Sequence, residues 1–118
     1  MKDAEKNDKV TDLGYLQLVS KGDQAFVRQM INIFLEENPK EVDRLEKAVS
    51  EKNYDGIRSA AHKLKSGIPF VGLNHVIEDD LADMEASAVH APDMEKMQTQ
   101  IKKIKQVCEK ARVELKAL

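Results

Sequence analysis

One histidine in this chain occupies a helix face where chemistry is possible. Around it, apolar residues recur at spacings of four, three, four and three, which is the pattern of one buried helix face. At about 100° of rotation per residue, His62 lies roughly 140° from the middle of that face. We therefore expect its imidazole to face solvent. The residues of the apolar face are Ile57, Ala61, Leu64, Ile68 and Val71.

The neighbours of His62 suit a nucleophile that meets an anion. Arg58 and Ser66 lie one turn before and after it, and Lys63 and Lys65 add two further cations. Cations disfavour a protonated imidazole, and a neutral ring keeps a lone pair for attack. The same cations can offset the negative charge of an incoming phosphoryl group. This pattern predicts a phosphoryl acceptor, and an ordinary surface histidine is the competing interpretation.

Helical periodicity runs through the chain, and no segment alternates as a strand would. Four substantial helices with short connections predict an all-α fold, an antiparallel up-down four-helix bundle with a short additional N-terminal helix. We expect residues 1–10 to be a disordered arm and residues 11–118 to form the domain. The predicted helix starts and stops are Thr11 or Asp12, Gly22, Asp23, 53–55, the cluster of Gly67, Pro69 and Gly72, Asn74 and 90–93.

Two helices have further features that the sequence predicts. Pro39 lacks a backbone donor and clashes with the preceding turn, so we expect a kink or a short break in the long second helix. The last helix carries a regular apolar seam in which Cys108 is a buried structural thiol. The members of that seam are Met94, Met97, Ile101, Ile104, Cys108, Ala111, Leu115 and Leu118.

Composition argues against several classes of protein. The net charge of −2 and the absence of Trp are a poor match to nucleic-acid binding. No run approaches the ~20 apolar residues of a membrane span, and the polar N-terminus does not resemble a secretory signal. A single cysteine is compatible with the cytoplasm, where we expect the protein. His62, His75 and His90 lack the spacing of metal ligands, so we expect no metal site and assign His75 and His90 to the surface.

The segment His62-Lys63-Leu64-Lys65-Ser66 resembles the phosphorylation motif of histidine phosphotransfer (HPt) domains of two-component phosphorelays. Their pattern is roughly His-x-Leu-Lys-Gly, then Gly-Leu, then an apolar residue followed by Glu or Gln. Gly72-Leu73 and Met84-Glu85 match the later parts, and the helix with Asn38-Pro39 resembles the long kinked helix of the family. Ser66 in place of glycine and the nearby Pro69 are departures from the pattern.

The resemblance implies a mechanism. His62 would accept a phosphoryl group from a receiver phospho-aspartate and pass it to another receiver aspartate, without a cofactor of its own. Lys65 would stabilise the phosphorylated ring, and Glu85 would bind the other ring nitrogen and fix the tautomer. Mg²⁺ is expected on the receiver. The chain has no Gly-rich phosphate loop, so no ATP-dependent kinase activity is expected.

The resemblance also implies partners. These would be the receiver domains of hybrid sensor kinases and response regulators, approached near Arg58, Lys63 and Ser66 by a monomeric protein. A receiver would need an apolar patch around His62. Its candidates could equally close the end of the bundle, and they are Leu13, Tyr15, Leu16, Ile68 and Phe70.

Three alternatives remain open at this level. The first is a non-catalytic helical-bundle interaction module with an incidental histidine, in which the seam of the last helix pairs with another chain. The second is the histidine-bearing domain of a kinase that is phosphorylated by its own ATP-binding domain. The third is a bundle that binds a metal or cofactor, which the histidine spacing argues against.

Overall fold

The computed structural model describes residues 9–118, and within that range it contains helices and no strands. Of the arm expected over residues 1–10, residues 1–8 lie outside the described part. The prediction of an all-α bundle with a short extra helix is confirmed. The elements are α1 (Gly14–Ser20), α2 (Gln24–Ser50), α3 (Tyr54–Gly67), a 3₁₀ turn (Ile68–Val71), α4 (Asn74–His90) and α5 (Met94–Lys116).

Three helices begin at a side-chain cap: the cap predicted at Asp23 is confirmed, and the other two lie within the predicted start at 53–55 and the predicted break at 90–93. A helix leaves its first backbone N–H groups without partners inside the helix, and a short polar side chain just before it can accept from them. Asp23, Asn53 and Asp93 each do this at the starts of α2, α3 and α5. These caps fix where the connections of residues 21–23, 51–53 and 91–93 end and where the helices begin.

Leu13 and Leu73 occupy the cap positions of α1 and α4. The cap predicted at Asp12 lies one residue earlier, yet its carboxylate accepts from the backbone N–H of Gly14, the first residue of α1, at 2.8 Å. The cap predicted at Asn74 is wrong. Asn74 is instead the first residue of α4. Leu73 is fully buried, and the chain reaches it directly from the left-handed residue Gly72 (φ 81°), so core packing rather than a polar cap sets this start.

Helix α2 runs without a break through Pro39. Proline removes one backbone hydrogen bond of the ladder. Phe34 before it and Val42 after it are both buried in the same core, so packing on either side holds the helix together. The expected break is therefore wrong, while a kink stays a prediction.

The core lies where α2, α3, α4 and α5 meet, and α3 packs against both α2 and α4. Cys108 is buried as predicted, and burial raises the pKa of its thiol. Leu118 is 75 % exposed, because α5 ends at Lys116 and the seam cannot continue past the helix. The largest fully buried side chains include Leu45, Ile57, Leu81, Met84, Met97 and Ile104.

The segment before α1 closes one end of the bundle. The backbone N–H of Asp12 donates to the carbonyl of Val71 at 2.9 Å, which ties this segment to the turn that follows α3. The backbone N–H groups of Val10 and Thr11 donate to the carboxylate of Glu114 at 2.9 and 3.0 Å. Burial raises the pKa of Glu114, but its hydrogen bonds from Thr11 and Val10 outweigh burial and leave that pKa lowered.

Candidate functional site

His62 stands on the solvent side of α3, and its side chain is 65 % exposed. Ile57, Ala61 and Leu64 are buried on the opposite side of the same helix. The prediction that the imidazole faces water is therefore confirmed. A partner can reach this ring without any rearrangement of the bundle.

Helix α4 supplies the group that orients the ring. The Nδ1 atom of His62 lies 2.9 Å from Oε2 of Glu85. A carboxylate can only accept, so this contact assigns the proton of the neutral ring to Nδ1. The lone pair is then on Nε2, the nitrogen that does not contact Glu85.

Lys65 completes the site from the next turn of α3. Its Nζ lies 2.9 Å from Oε1 of Glu85, so one carboxylate holds two basic groups through its two oxygens. The hydrogen bond from Lys65 is the strongest influence on Glu85 and lowers its pKa. Burial opposes this, the hydrogen bond from His62 adds to it, and the pKa of Glu85 remains below its ordinary value of 4.5. Glu85 is therefore a carboxylate at neutral pH.

Lys63 is held on the other flank of α3. Its Nζ lies 3.0 Å from Oε2 of Glu41 on α2, and Arg44 binds the same oxygen. The side chain of Glu41 is only 5 % exposed. The structure thus brings Lys65 to the carboxylate that contacts His62, and Lys63 to a different carboxylate.

Ser66 and Arg58 are exposed on the turns after and before the histidine. The Ser66 hydroxyl donates to the backbone carbonyl of His62 at 3.0 Å, which occupies its hydrogen and directs it back along the helix. The serine side chain at this position is small enough to leave the ring of His62 exposed.

The family model of the Hpt domain matches residues 29–113. The chain belongs to the Hpt domain family. Searches of curated proteins and of solved structures gave no significant match. The matched range includes His62, Lys65 and Glu85, so the three side chains that the structure brings together all lie within the Hpt domain.

The Hpt domain presents some of the predicted docking residues and hides others. Leu16 and Ile68 are 0 % and 1 % exposed, so their assignment to a docking surface is wrong: both close the end of the bundle. Tyr15 is exposed, and its ring centroid lies 6.0 Å from that of the partly buried Phe70. Leu13 is partly buried against the core.

Sequence reasoning missed a groove between α2 and α3 of the Hpt domain. This groove has a volume of about 240 Å³ and a nearly apolar lining. Its signal was present, because Met30 and Ile33 form a second apolar stripe on α2 beside the buried stripe of Val27, Ile31 and Phe34. The lining includes Met30, Ile33, Phe34, Glu41, Lys63, Leu64 and Phe70.

Two other kinds of site are absent from the described residues. Within residues 9–118, no group of three or more His, Cys, Asp or Glu side chains is arranged to hold a metal ion. None of the helices over the same residues combines the length and apolar character needed to span a membrane.

Proposed function

We propose that His62 relays a phosphoryl group between receiver domains. It accepts the group from the phospho-aspartate of one receiver and passes it to the aspartate of another. Membership of the Hpt family supports histidine phosphotransfer in a phosphorelay. The observation that carries the assignment to this residue is the exposed imidazole whose Nδ1 is held by Glu85.

The chemistry of acceptance follows from this geometry. Nε2 of His62 attacks the phosphorus of the receiver's phospho-aspartate, the P–O bond to the aspartate breaks, and the aspartate leaves as a carboxylate. Glu85 keeps the Nδ1 proton in place, so the lone pair stays on the attacking nitrogen. Lys65 and Arg58 add positive charge beside the incoming group. Donation to the second receiver is the reverse of these events.

The receiver docks on the face that carries Tyr15, Phe70 and the α2–α3 groove. Tyr15 and Phe70 offer exposed and partly buried aromatic surface, and the groove accepts apolar side chains. Lys63, 61 % exposed and anchored on Glu41, belongs to the polar rim of this face together with Ser66. Leu13, the remaining candidate, is partly buried and lines a separate cavity with Val27, Ile31 and Leu115.

The chain needs no cofactor of its own in this proposal. The Mg²⁺ that phosphoryl transfer requires is supplied by the receiver, and ATP is used by a separate sensor kinase. The protein acts as a monomer in the cytoplasm, and each receiver binds the same face in turn. Analytical ultracentrifugation of the purified chain tests the monomer.

The decisive experiment is transfer from a ³²P-labelled receiver. Purified receiver domains, phosphorylated on aspartate, are mixed with the wild-type chain, with His62→Gln and with His75→Gln. We expect acid-labile label on the wild type and on His75→Gln and none on His62→Gln. Label on His62→Gln, or a wild type that no receiver in a broad panel labels, contradicts the proposal. The second result would favour an interaction module.

A further inference from the structure

Fixing the tautomer of His62 does not by itself require a negatively charged group at position 85. Its Oε2 lies 2.9 Å from Nδ1 of His62, and its Oε1 lies 2.9 Å from Nζ of Lys65. A neutral amide oxygen could also accept the Nδ1 proton and leave the lone pair on Nε2. The negative charge at this position therefore needs a separate explanation.

The charge becomes important once the ring is phosphorylated. With the phosphoryl group on Nε2 and a proton on Nδ1, the ring itself carries a positive charge. A carboxylate in hydrogen-bond contact with Nδ1 stabilises that charged ring, whereas an amide does so only weakly. Without the carboxylate, the phosphorylated ring more readily loses its Nδ1 proton.

The Nδ1 proton decides how easily the phosphoryl group leaves. When the N–P bond breaks, its electron pair returns to Nε2. A ring that has kept the Nδ1 proton departs as neutral imidazole, and a ring that has lost it must depart as the far more basic imidazolate. The oxygen of a receiver aspartate, or of water, forms the new P–O bond in either case.

We propose that the negative charge of Glu85 keeps the Nδ1 proton on phosphorylated His62 and thereby makes this residue a fast phosphoryl donor. The proposal rests on the relay function proposed above and assigns Glu85 as the positioning residue of its second half. An amide can also hold the tautomer of the neutral ring, whereas only the charge holds the Nδ1 proton of the phosphorylated ring.

The surrounding charges fit this role of Glu85. On α4, Glu85 is the carboxylate that contacts the ring, and on α3 Lys65 balances part of its charge while Arg58 lies one turn away. On the α2 side, Lys63 is paired with Glu41, which Arg44 also binds. The lowered pKa of Glu85 keeps its carboxylate ionised throughout the neutral range.

Chemical phosphorylation tests the proposal without any receiver. The full chain is treated with phosphoramidate, and ³¹P and ¹⁵N NMR follow hydrolysis of the Nε2-phosphorylated isomer at each histidine between pH 6 and pH 9. His75 and His90 are both exposed and serve as internal references. The variants are Glu85→Gln and, as a matched control, Glu78→Gln, which removes the same charge from an exposed position on α4.

We expect Glu85→Gln to slow hydrolysis at His62 about three- to tenfold near pH 8 and to move its pH profile toward lower pH, with His75 and His90 unchanged. Glu78→Gln should match the wild type. In the wild type itself, phosphorylated His62 should hydrolyse faster than phosphorylated His75 and His90, a comparison that needs no variant. An unchanged or faster rate at His62 in Glu85→Gln, or a wild-type His62 no faster than the references, overturns the proposal.

Transfer assays separate this inference from the relay itself. With receivers present at pH 8, Glu85→Gln should donate the phosphoryl group more slowly than the wild type, and the deficit should shrink toward pH 6, where both rings keep the Nδ1 proton. A deficit of the same size at every pH would show a merely structural role for Glu85 and overturn the inference, while the relay would stand. Failure of the wild type to exchange with any receiver overturns the relay, whatever the hydrolysis rates.

Discussion

Helix α3 has a glutamate on each flank, and each glutamate holds two basic groups. On the α4 side, Glu85 contacts His62 and Lys65 through separate oxygens. On the α2 side, Glu41 contacts Lys63 and Arg44 through a single oxygen. The side chain of Glu85 is 23 % exposed and that of Glu41 only 5 %.

The difference between the two flanks lies in what the basic groups can do. Lys63 and Arg44 remain cations at neutral pH, so Glu41 can only neutralise and hold them. His62 can be neutral or charged, so a carboxylate on its Nδ1 decides where its proton and its lone pair are. The same arrangement of charges therefore holds two cations on one flank and orients an imidazole on the other.

The largest expected effect separates two adjacent residues of α3. His62→Gln should abolish phosphoryl acceptance, whereas Lys63→Gln should reduce the rate of transfer from a receiver by only about twofold, as for a charge at the rim of an interface. Rapid-quench transfer kinetics measure both. A Lys63→Gln protein as inactive as His62→Gln would place Lys63 in the chemistry and remove the distinction between the flanks.

A second prediction concerns the residue between the two flanks. Leu64 is 4 % exposed and faces the core, so Leu64→Ala should lower the free energy of unfolding by roughly 2–5 kcal/mol. His62→Gln, two positions away, should change it by less than about 0.5 kcal/mol because the site is exposed. Urea unfolding gives both values. An unaltered transition midpoint for Leu64→Ala would mean that this side of α3 is not the packed side.

A third prediction concerns Glu41, the buried glutamate on the α2 side. In Glu41→Leu the two cations can turn to water, and an apolar side chain of similar size fills the site beside the α2–α3 groove. The free energy of unfolding should then change by no more than about 1 kcal/mol in either direction. Chemical phosphorylation of His62 should be unaffected. A loss of phosphorylation in this variant would show that the two flanks are coupled.

The smallest effect concerns acid stability on the α4 side. The folded-state pKa of Glu85 lies below its ordinary value of 4.5, mainly because of the hydrogen bond from Lys65. As pH falls, the unfolded chain therefore takes up this proton first, and the stabilisation that is complete well above pH 4.5 is lost as pH drops through the folded-state pKa.

Glu85→Gln removes this titration. Its melting temperature should consequently fall less steeply than that of the wild type below about pH 4.5. Calorimetry at a series of pH values compares the two slopes. Identical slopes would mean that Glu85 is no better stabilised as a carboxylate in the folded protein than in the unfolded chain.

Much of the site was predictable because it depends on local helix periodicity. The angle between His62 and the apolar face of its helix follows from spacing alone, and the cap at Asp23 follows from a short polar side chain directly before a periodic apolar segment. The partnership of His62 with Glu85 spans two helices, and it came from the family resemblance rather than from the spacing of residues.

The errors concern residues whose surroundings come from other elements. Leu16 and Ile68 were candidates both for a docking patch and for closing the end of the bundle, because one helix cannot show what covers its end, and both prove to be buried. Glu41 was overlooked although it falls on a stripe with Phe34, Asn38 and Leu45 at spacings of four, three and four. A polar residue on such a stripe needs a partner from a neighbouring helix, and here that partner is Lys63.

Residues on both sides of the family match also hold the bundle together. The family match covers residues 29–113. Outside it, the backbone N–H of Asp12 donates to the carbonyl of Val71, and the carboxylate of Glu114 accepts from the backbone just before Asp12. A side chain at position 72 would collide with Asp12, since its Cβ would come within 2.5 Å of the Asp12 carbonyl oxygen. A fragment trimmed to residues 29–113 would lack both sets of hydrogen bonds, and the turn that follows the helix carrying His62 would lose its anchor.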